Sequence, residues 1–168
     1  MAGWSGPGAT SDGHLVSILA NVADGTAARA ARQAPVEGVG LFRTELCFLE
    51  RDSEPSVDEQ ASIYAEVLEA FAGCKVVIRT LDAGSDKPLK FVTTPEEANP
   101  ALGVRGFRIV GSNADLVARQ LDAIAAAAEQ TGNPPWVMAP MIATAAEAKQ
   151  FADLARERGL YPLSLIHI

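Results

Sequence analysis

The chain has 168 residues, 48% of them apolar and 21% charged, with a formal net charge of −7. That length suits one domain with a sizeable core and leaves little room for two. The acidic balance argues against general nucleic-acid binding, which needs a basic face, and no window approaches the roughly 18 apolar residues of a membrane span, so no membrane insertion is expected.

The opening MAGWSGPGATSDG has neither a basic n-region nor an apolar h-region, so residues 1–12 read as a flexible lead-in rather than a secretory signal. LVSILANV, Leu15 to Val22, is expected as a first strand, followed by Asp24 as N-cap of a helix through Ala27, Ala30 and Ala31. Gly38 to Phe42 is a short second strand. Ser56 and Glu59 have capping-box spacing at the start of a helix that carries Ile63, Val67, Leu68 and Phe71 until Gly73 stops it. Lys75 to Leu81 is a third strand. The segment from Asp82 to Gly111, rich in Gly, Pro and charge, is long for a connection in a compact domain, which favours a functional loop. An Ala-rich helix then spans Ala114 to Glu129, Trp136 to Met141 is a fourth strand, and Thr144 with Glu147 opens a fourth helix ending near Gly159. Strand and helix alternate four times, the pattern of α/β proteins with a parallel sheet, and four such units are half of an eightfold barrel.

Three arginines follow apolar strand-like runs: Arg43 after GVGLF, Arg79 after KVVI and Arg105 after NPALGV. A planar, permanently charged guanidinium at a strand end suits a phosphate or carboxylate, because its fork of donors meets two oxygens at once. On residue type alone, an arginine after a strand is more often a surface ion-pair partner than a ligand. Glu45, two residues past Arg43, reads as the partner that fixes its guanidinium, Asp82 as a residue orienting Arg79 or its loop, and Asp86 as a turn cap. Gly84 and Gly103 read as backbone positions of close approach rather than a phosphate cradle, since no P-loop pattern surrounds them. Cys47 and Cys74 both lie in apolar surroundings, which suits a reducing cytoplasm better than a disulfide framework, and core packing is the simpler role for Cys47.

DGHLVSILANV, EGVGLFRTELCFLERDSEPSVDEQ, VVIRTLDAGSDKP and NPALGVRGFRI occur in that order. Together they resemble the PEP-binding C-terminal domain of the phosphoenolpyruvate-protein phosphotransferases, the enzyme I family of the sugar phosphotransferase system. The likeness covers roughly Thr10 to Leu160. Pyruvate phosphate dikinase and PEP synthase share parts of these motifs, but GLFRTE followed by IRTLDAGSDKP is more similar to enzyme I. The resemblance implies a TIM (β/α)8 barrel of which residues 13–161 hold about the first four βα units, with the active site at the C-terminal ends of the strands. It implies Arg43 and Arg79 as ligands of the PEP phosphate, with Lys87 and Arg105 as further anion contacts; Lys87 equally suits a solvated loop charge.

In the family reaction PEP phosphorylates a histidine on a separate N-terminal domain, and the group passes on to a phosphocarrier protein. Mg2+ bridges PEP to the barrel, and the full-length enzyme is a homodimer. Neither His14 nor His167 matches the acceptor histidine. The metal carboxylates and the cysteine that protonates the enolate are expected on later strands, so no catalytic residue is assigned here and the fragment is expected to be inactive alone. Residues 162–168, PLSLIHI, do not resemble the family's fifth strand and read as an atypical tail. The other readings are a non-catalytic anion-binding module and a truncated product without function.

Overall fold

Local chemistry sets the helix starts. The computed structural model describes residues 6–49, 51–92 and 96–166. Helix α1, Gly25–Ala31, begins where the Asp24 carboxylate accepts the Ala27 N–H at 2.7 Å. Helices α2, Val57–Ala70, and α4, Ala145–Arg156, each open on a complete capping box, Ser56 with Glu59 and Thr144 with Glu147. Each box satisfies two backbone donors that the first turn leaves unpaired. Helix α3, Val110–Thr131, is broken at Asn113 (φ −141°, ψ 50°), so regular helix resumes at Ala114, where the sequence places its start. Gly132, with φ 65°, closes it by donating to the Ala128 carbonyl.

The strands are β1 (Gly8–Ala9), β2 (Leu15–Val16), β3 (Leu19–Val22), β4 (Gly38–Arg43), β5 (Lys75–Arg79), β6 (Trp136–Ile142) and β7 (Tyr161–Ile166). The last five form one parallel sheet in the order β3-β4-β5-β6-β7, each beside its predecessor in the chain. One helix crosses over between each consecutive pair. A doubly wound sheet reverses its order at a switch point; this one does not. Val39, Phe42, Val76, Ile78, Val137 and Ala139 pack with Tyr64, Leu68, Leu121, Ile124 and Phe151 into one core between sheet and helices. Phe42 meets Tyr64 edge-on at 5.8 Å, and Phe107 meets Phe151 at 5.4 Å. Val77 and Met138 are buried apart from that cluster, so the middle strands are covered on both sides, as parallel sheets generally are.

Two segments depart from expectation. The first strand is split: Leu15–Val16 turn back antiparallel onto Gly8–Ala9, and only Leu19–Val22 joins the parallel sheet. Part of the expected lead-in is therefore structured, with Thr10 donating to the His14 carbonyl at 2.8 Å around Gly13. The segment expected as an atypical tail supplies the backbone of β7, so the sheet has five strands rather than four. The physical reason is that the β6 edge carries N–H and C=O groups needing partners, which an extended apolar segment can supply.

Candidate functional site

Arg43 and Arg79 are the last residues of β4 and β5, and they are direct register partners. Parallel strands lie about 4.8 Å apart, so two guanidinium stems leave one edge of the sheet side by side. Arg105 stands just before a 3-10 turn, Gly106–Ile109, that leads into α3. Lys87 lies in the loop after β5, where its N–H donates to the Gly84 carbonyl at 3.0 Å.

Carboxylates order two of these four cations. Arg79 binds Glu45 at 2.7 Å and Asp82 at 3.3 Å. Arg105 binds the two Asp82 oxygens at 2.9 and 3.3 Å and Asp86 at 2.8 Å. The result is a continuous ladder, Glu45, Arg79, Asp82, Arg105, Asp86, whose members apart from Asp86 keep side-chain exposures of 15% or less. Burial works to raise the Asp82 pKa, but the hydrogen bond from Arg105 and the charges of Arg79, Arg105 and Lys87 outweigh it and hold the carboxyl below its ordinary value. The same Asp82 hydrogen bond pushes the Arg105 pKa up, against burial.

Arg43 differs from its neighbours. It makes no ion pair among the described residues, and its buried Nε has no hydrogen-bond partner. Arg79 Nε and Ser85 Oγ are also buried and unpartnered. Each orphaned donor costs about 1–3 kcal/mol while it lacks a partner, and the acceptor Glu45 Oε2 is buried without one as well. Four cations, Arg43, Arg79, Lys87 and Arg105, thus stand among the three carboxylates of the ladder, with Glu97 close by on the backbone N–H of Val104.

Glycines make the approach possible. A Cβ on Gly106 (φ 58°) would lie 2.9 Å from the Pro140 carbonyl oxygen and 2.9 Å from Met141 Cγ. One on Gly84 would lie 3.1 Å from the Arg105 side chain, and one on Gly103 would overlap Glu97. Both positions are thus of close approach, as the sequence suggests. Met141, opposite Gly106, itself holds a left-handed backbone (φ 65°) beside an irregularity in the β6–β7 register.

The donors of the described residues do not gather into a magnesium site. Among the described residues no three His, Cys, Asp or Glu side chains converge, and Glu45, Asp82 and Asp86 are each held by an arginine. A cleft of about 500 Å³ beside Ser85 is lined by Glu96 and Glu97, and one of about 460 Å³ at the start of α3 is lined by Glu54, Asp115 and Arg119. Neither includes any of the four cations. His14 is exposed in the β1–β2 hairpin, and His167 lies outside the described residues. Cys47 and Cys74 are free, and burial pushes the Cys47 thiol up to about 11, which suits packing rather than nucleophilic chemistry. No helix among the described residues is long and apolar enough to cross a membrane.

Sequence reading pairs Glu45 with Arg43, two residues before it; the 3-10 turn Thr44–Cys47 instead carries it to Arg79 of the next strand. Asp86 holds Arg105 rather than only capping a turn. Beneath the cations runs a buried polar network that the sequence reading missed. Thr44 Oγ1 donates to the Arg79 carbonyl at 2.7 Å, and Gln120 Nε2 donates to Thr44 Oγ1 at 2.9 Å and Tyr64 Oη at 3.1 Å. Gln120 Oε1 accepts the Leu81 N–H at 2.8 Å. The available signal was Gln120 itself, which interrupts the apolar stripe Leu116, Val117, Leu121, Ile124 of α3.

Residues 5–160 match the family described as PEP-utilising enzyme, PEP-binding domain. The chain is 53% identical over 163 residues to a phosphoenolpyruvate-protein phosphotransferase of Streptomyces coelicolor, covering 95% of this chain and 29% of the relative. It is 43% identical over 151 residues to a multiphosphoryl transfer protein of Rhodobacter capsulatus, covering 90% and 18%. A phosphoenolpyruvate-protein phosphotransferase of Bacillus subtilis is 40% identical over 144 residues, covering 86% and 25%. The chain thus spans less than a third of the length of these relatives. With its cation-lined strand ends and this match over nearly its whole length, the chain belongs to the PEP-utilising enzymes and represents part of their PEP-binding domain.

Proposed function

We propose that this chain supplies the arginine side of a phosphoenolpyruvate site in a phosphotransferase whose five-stranded sheet is an arc of a (β/α)8 barrel. The observation that carries the reading is the register pair Arg43 and Arg79: one guanidinium held by carboxylates, the other without an ion-pair partner among the described residues. PEP carries about three negative charges near neutral pH, and during phosphoryl transfer charge spreads over the equatorial oxygens, where cations already in place act best. Arg43 offers an uncommitted fork of donors to the phosphate. Arg79 and Arg105 have little freedom left, so little ordering entropy remains to be lost on binding. Lys87 adds charge at the rim.

In the complete reaction the bond between phosphorus and the enol oxygen breaks as a bond to a histidine nitrogen forms, and the enolate gains a proton to become pyruvate. The accepting histidine, the proton donor and the residues that hold magnesium belong, in this reading, to other parts of the enzyme. Magnesium would supply further neutralisation of PEP when bound. This chain's residues bind and orient the anion, and the chain alone is inactive. The phosphohistidine then serves a phosphocarrier protein in a cytoplasmic homodimer dedicated to sugar uptake. A second reading, anion binding without catalysis, is favoured by one observation: the three carboxylates at the strand ends are already committed to arginines, so binding here requires no metal.

Calorimetric titration of phosphoenolpyruvate into the 168-residue chain, with and without magnesium, tests the proposal. Arg43→Ala removes a charge-assisted contact worth about 1.5–3 kcal/mol, so affinity should fall at least tenfold, and Arg43→Lys should restore little of it. Equal affinity in wild type and Arg43→Ala, or no binding by the wild type, would defeat the assignment.

A further inference from the structure

Nothing in the sequence reading involves Gln120, which is only 1% exposed in the middle of α3. From its hydrogen bonds we infer that Gln120 is a positioning residue that aims Arg43 and Arg79 by tying the two strand exits to one helix. This rests on the reading of those arginines as the anion site.

The hydrogen-bond directions admit one consistent assignment. The Leu81 N–H requires an oxygen, so the amide oxygen of Gln120 faces it at 2.8 Å, and both amide hydrogens are left to donate. One goes to Thr44 Oγ1 and the other to Tyr64 Oη. Each hydroxyl then has a single proton to pass on: Thr44 gives its proton to the Arg79 carbonyl, and Tyr64 gives its own to Gln60 Oε1 at 3.0 Å. Burial pushes the Tyr64 pKa up, so the phenol remains a donor. Gln60 closes the network by donating to the Pro55 carbonyl at 2.9 Å. Thr44, Gln60 and Tyr64 are all fully buried.

What matters is where the bonds end. Thr44 directly follows Arg43, the Arg79 carbonyl belongs to the second arginine itself, and Leu81 follows Arg79 by two residues. One amide therefore fixes the backbone on the exit side of both cations. A leucine at position 120 would fill the core as well and avoid desolvating an amide, so packing alone does not call for glutamine here.

The test uses the full chain and two readouts, side-chain Nε–Hε NMR signals of the arginines and the affinity for phosphoenolpyruvate. Gln120→Met keeps the length and removes every hydrogen bond, Thr44→Val removes the hydroxyl while keeping the shape, and Thr44→Ser keeps the hydroxyl. Expected is a shift of the Arg43 and Arg79 signals in Gln120→Met and Thr44→Val, with those of Arg29 and Arg156 unmoved. Affinity should fall about tenfold, the equivalent of one charge-assisted contact. Thr44→Ser should restore both readouts. If the wild type binds no phosphoenolpyruvate while the two arginine signals still move, the substrate reading falls and the positioning role stands. Folded variants with unmoved Arg43 and Arg79 signals would overturn the inference, as would moved signals with unchanged affinity. Loss of the fold in both Gln120→Met and Thr44→Val would overturn it too, by making the network a stability element.

Discussion

Asp82→Asn separates the ion ladder from ordinary surface pairing. Asp82 is 6% exposed and, among the described residues, is the one carboxylate that touches two arginines, Arg79 at 3.3 Å and Arg105 at 2.9 Å. Removing one partner from a buried ion pair costs about 3–5 kcal/mol. Here Arg79 keeps Glu45, Arg105 keeps Asp86, and the asparagine oxygen still accepts one hydrogen bond, so a loss of about 2 kcal/mol is expected. For a chain of this size that corresponds to a fall of about 4–8 °C in Tm. The pH dependence gives a second, independent check. The folded-state pKa of Asp82 lies below its unfolded value, so its contribution is present above about pH 4 and disappears as the pH falls through the folded value. Urea unfolding of wild type and variant at pH 7, 5 and 3 should therefore show a gap that is constant from pH 7 to 5 and closes toward pH 3. A gap under about 0.5 kcal/mol at pH 7, the scale of ordinary surface changes, would refute the reasoning, as would one that does not change with pH.

Gly106→Ala should cost about 1–3 kcal/mol, because φ 58° disfavours any side chain and the new Cβ would press on the Pro140 carbonyl; an unchanged urea midpoint would show that the turn gives way freely. Cys47, with its thiol pushed up to about 11 by burial, should react with a disulfide reagent at pH 8 far more slowly in the folded chain than after unfolding. Labelling of folded Cys47 at the rate of the unfolded chain would contradict its packed position.

The parts of this fold legible in the sequence are those decided within a few residues. The Ser56–Glu59 and Thr144–Glu147 boxes and the Asp24 cap are complete local circuits, and each helix begins where its cap predicts. The end of the second strand follows from an apolar run that stops at Arg43, whereas the third, expected to reach Leu81, ends two residues earlier at Arg79. The split of Leu15–Val22 was not legible, because the pairing of Leu15 and Val16 with Gly8–Ala9 is decided by a turn and by a partner without side-chain bulk. Partners within the site were only half legible. Glu45 is two residues from Arg43 in the chain, yet the 3-10 turn reverses that neighbourhood and delivers it to Arg79. Gln120 is 41 residues from Arg79, and only its place among Leu116, Val117, Leu121 and Ile124 marks it as a buried polar residue in need of partners.

The unbroken order β3-β4-β5-β6-β7 also bears on how the chain assembles during synthesis. Each of these strands docks on the one made before it, so the contacts within this sheet close over a single intervening helix. Vectorial folding from the N-terminus would then set Arg43 and Arg79 side by side as soon as β5 emerges, with two like charges adjacent. Glu45 is already present to hold one of them. Asp82, Asp86 and Arg105 follow, and Gln120 arrives last. The ion ladder and its glutamine support are thus assembled in chain order, each addition restricting the one before.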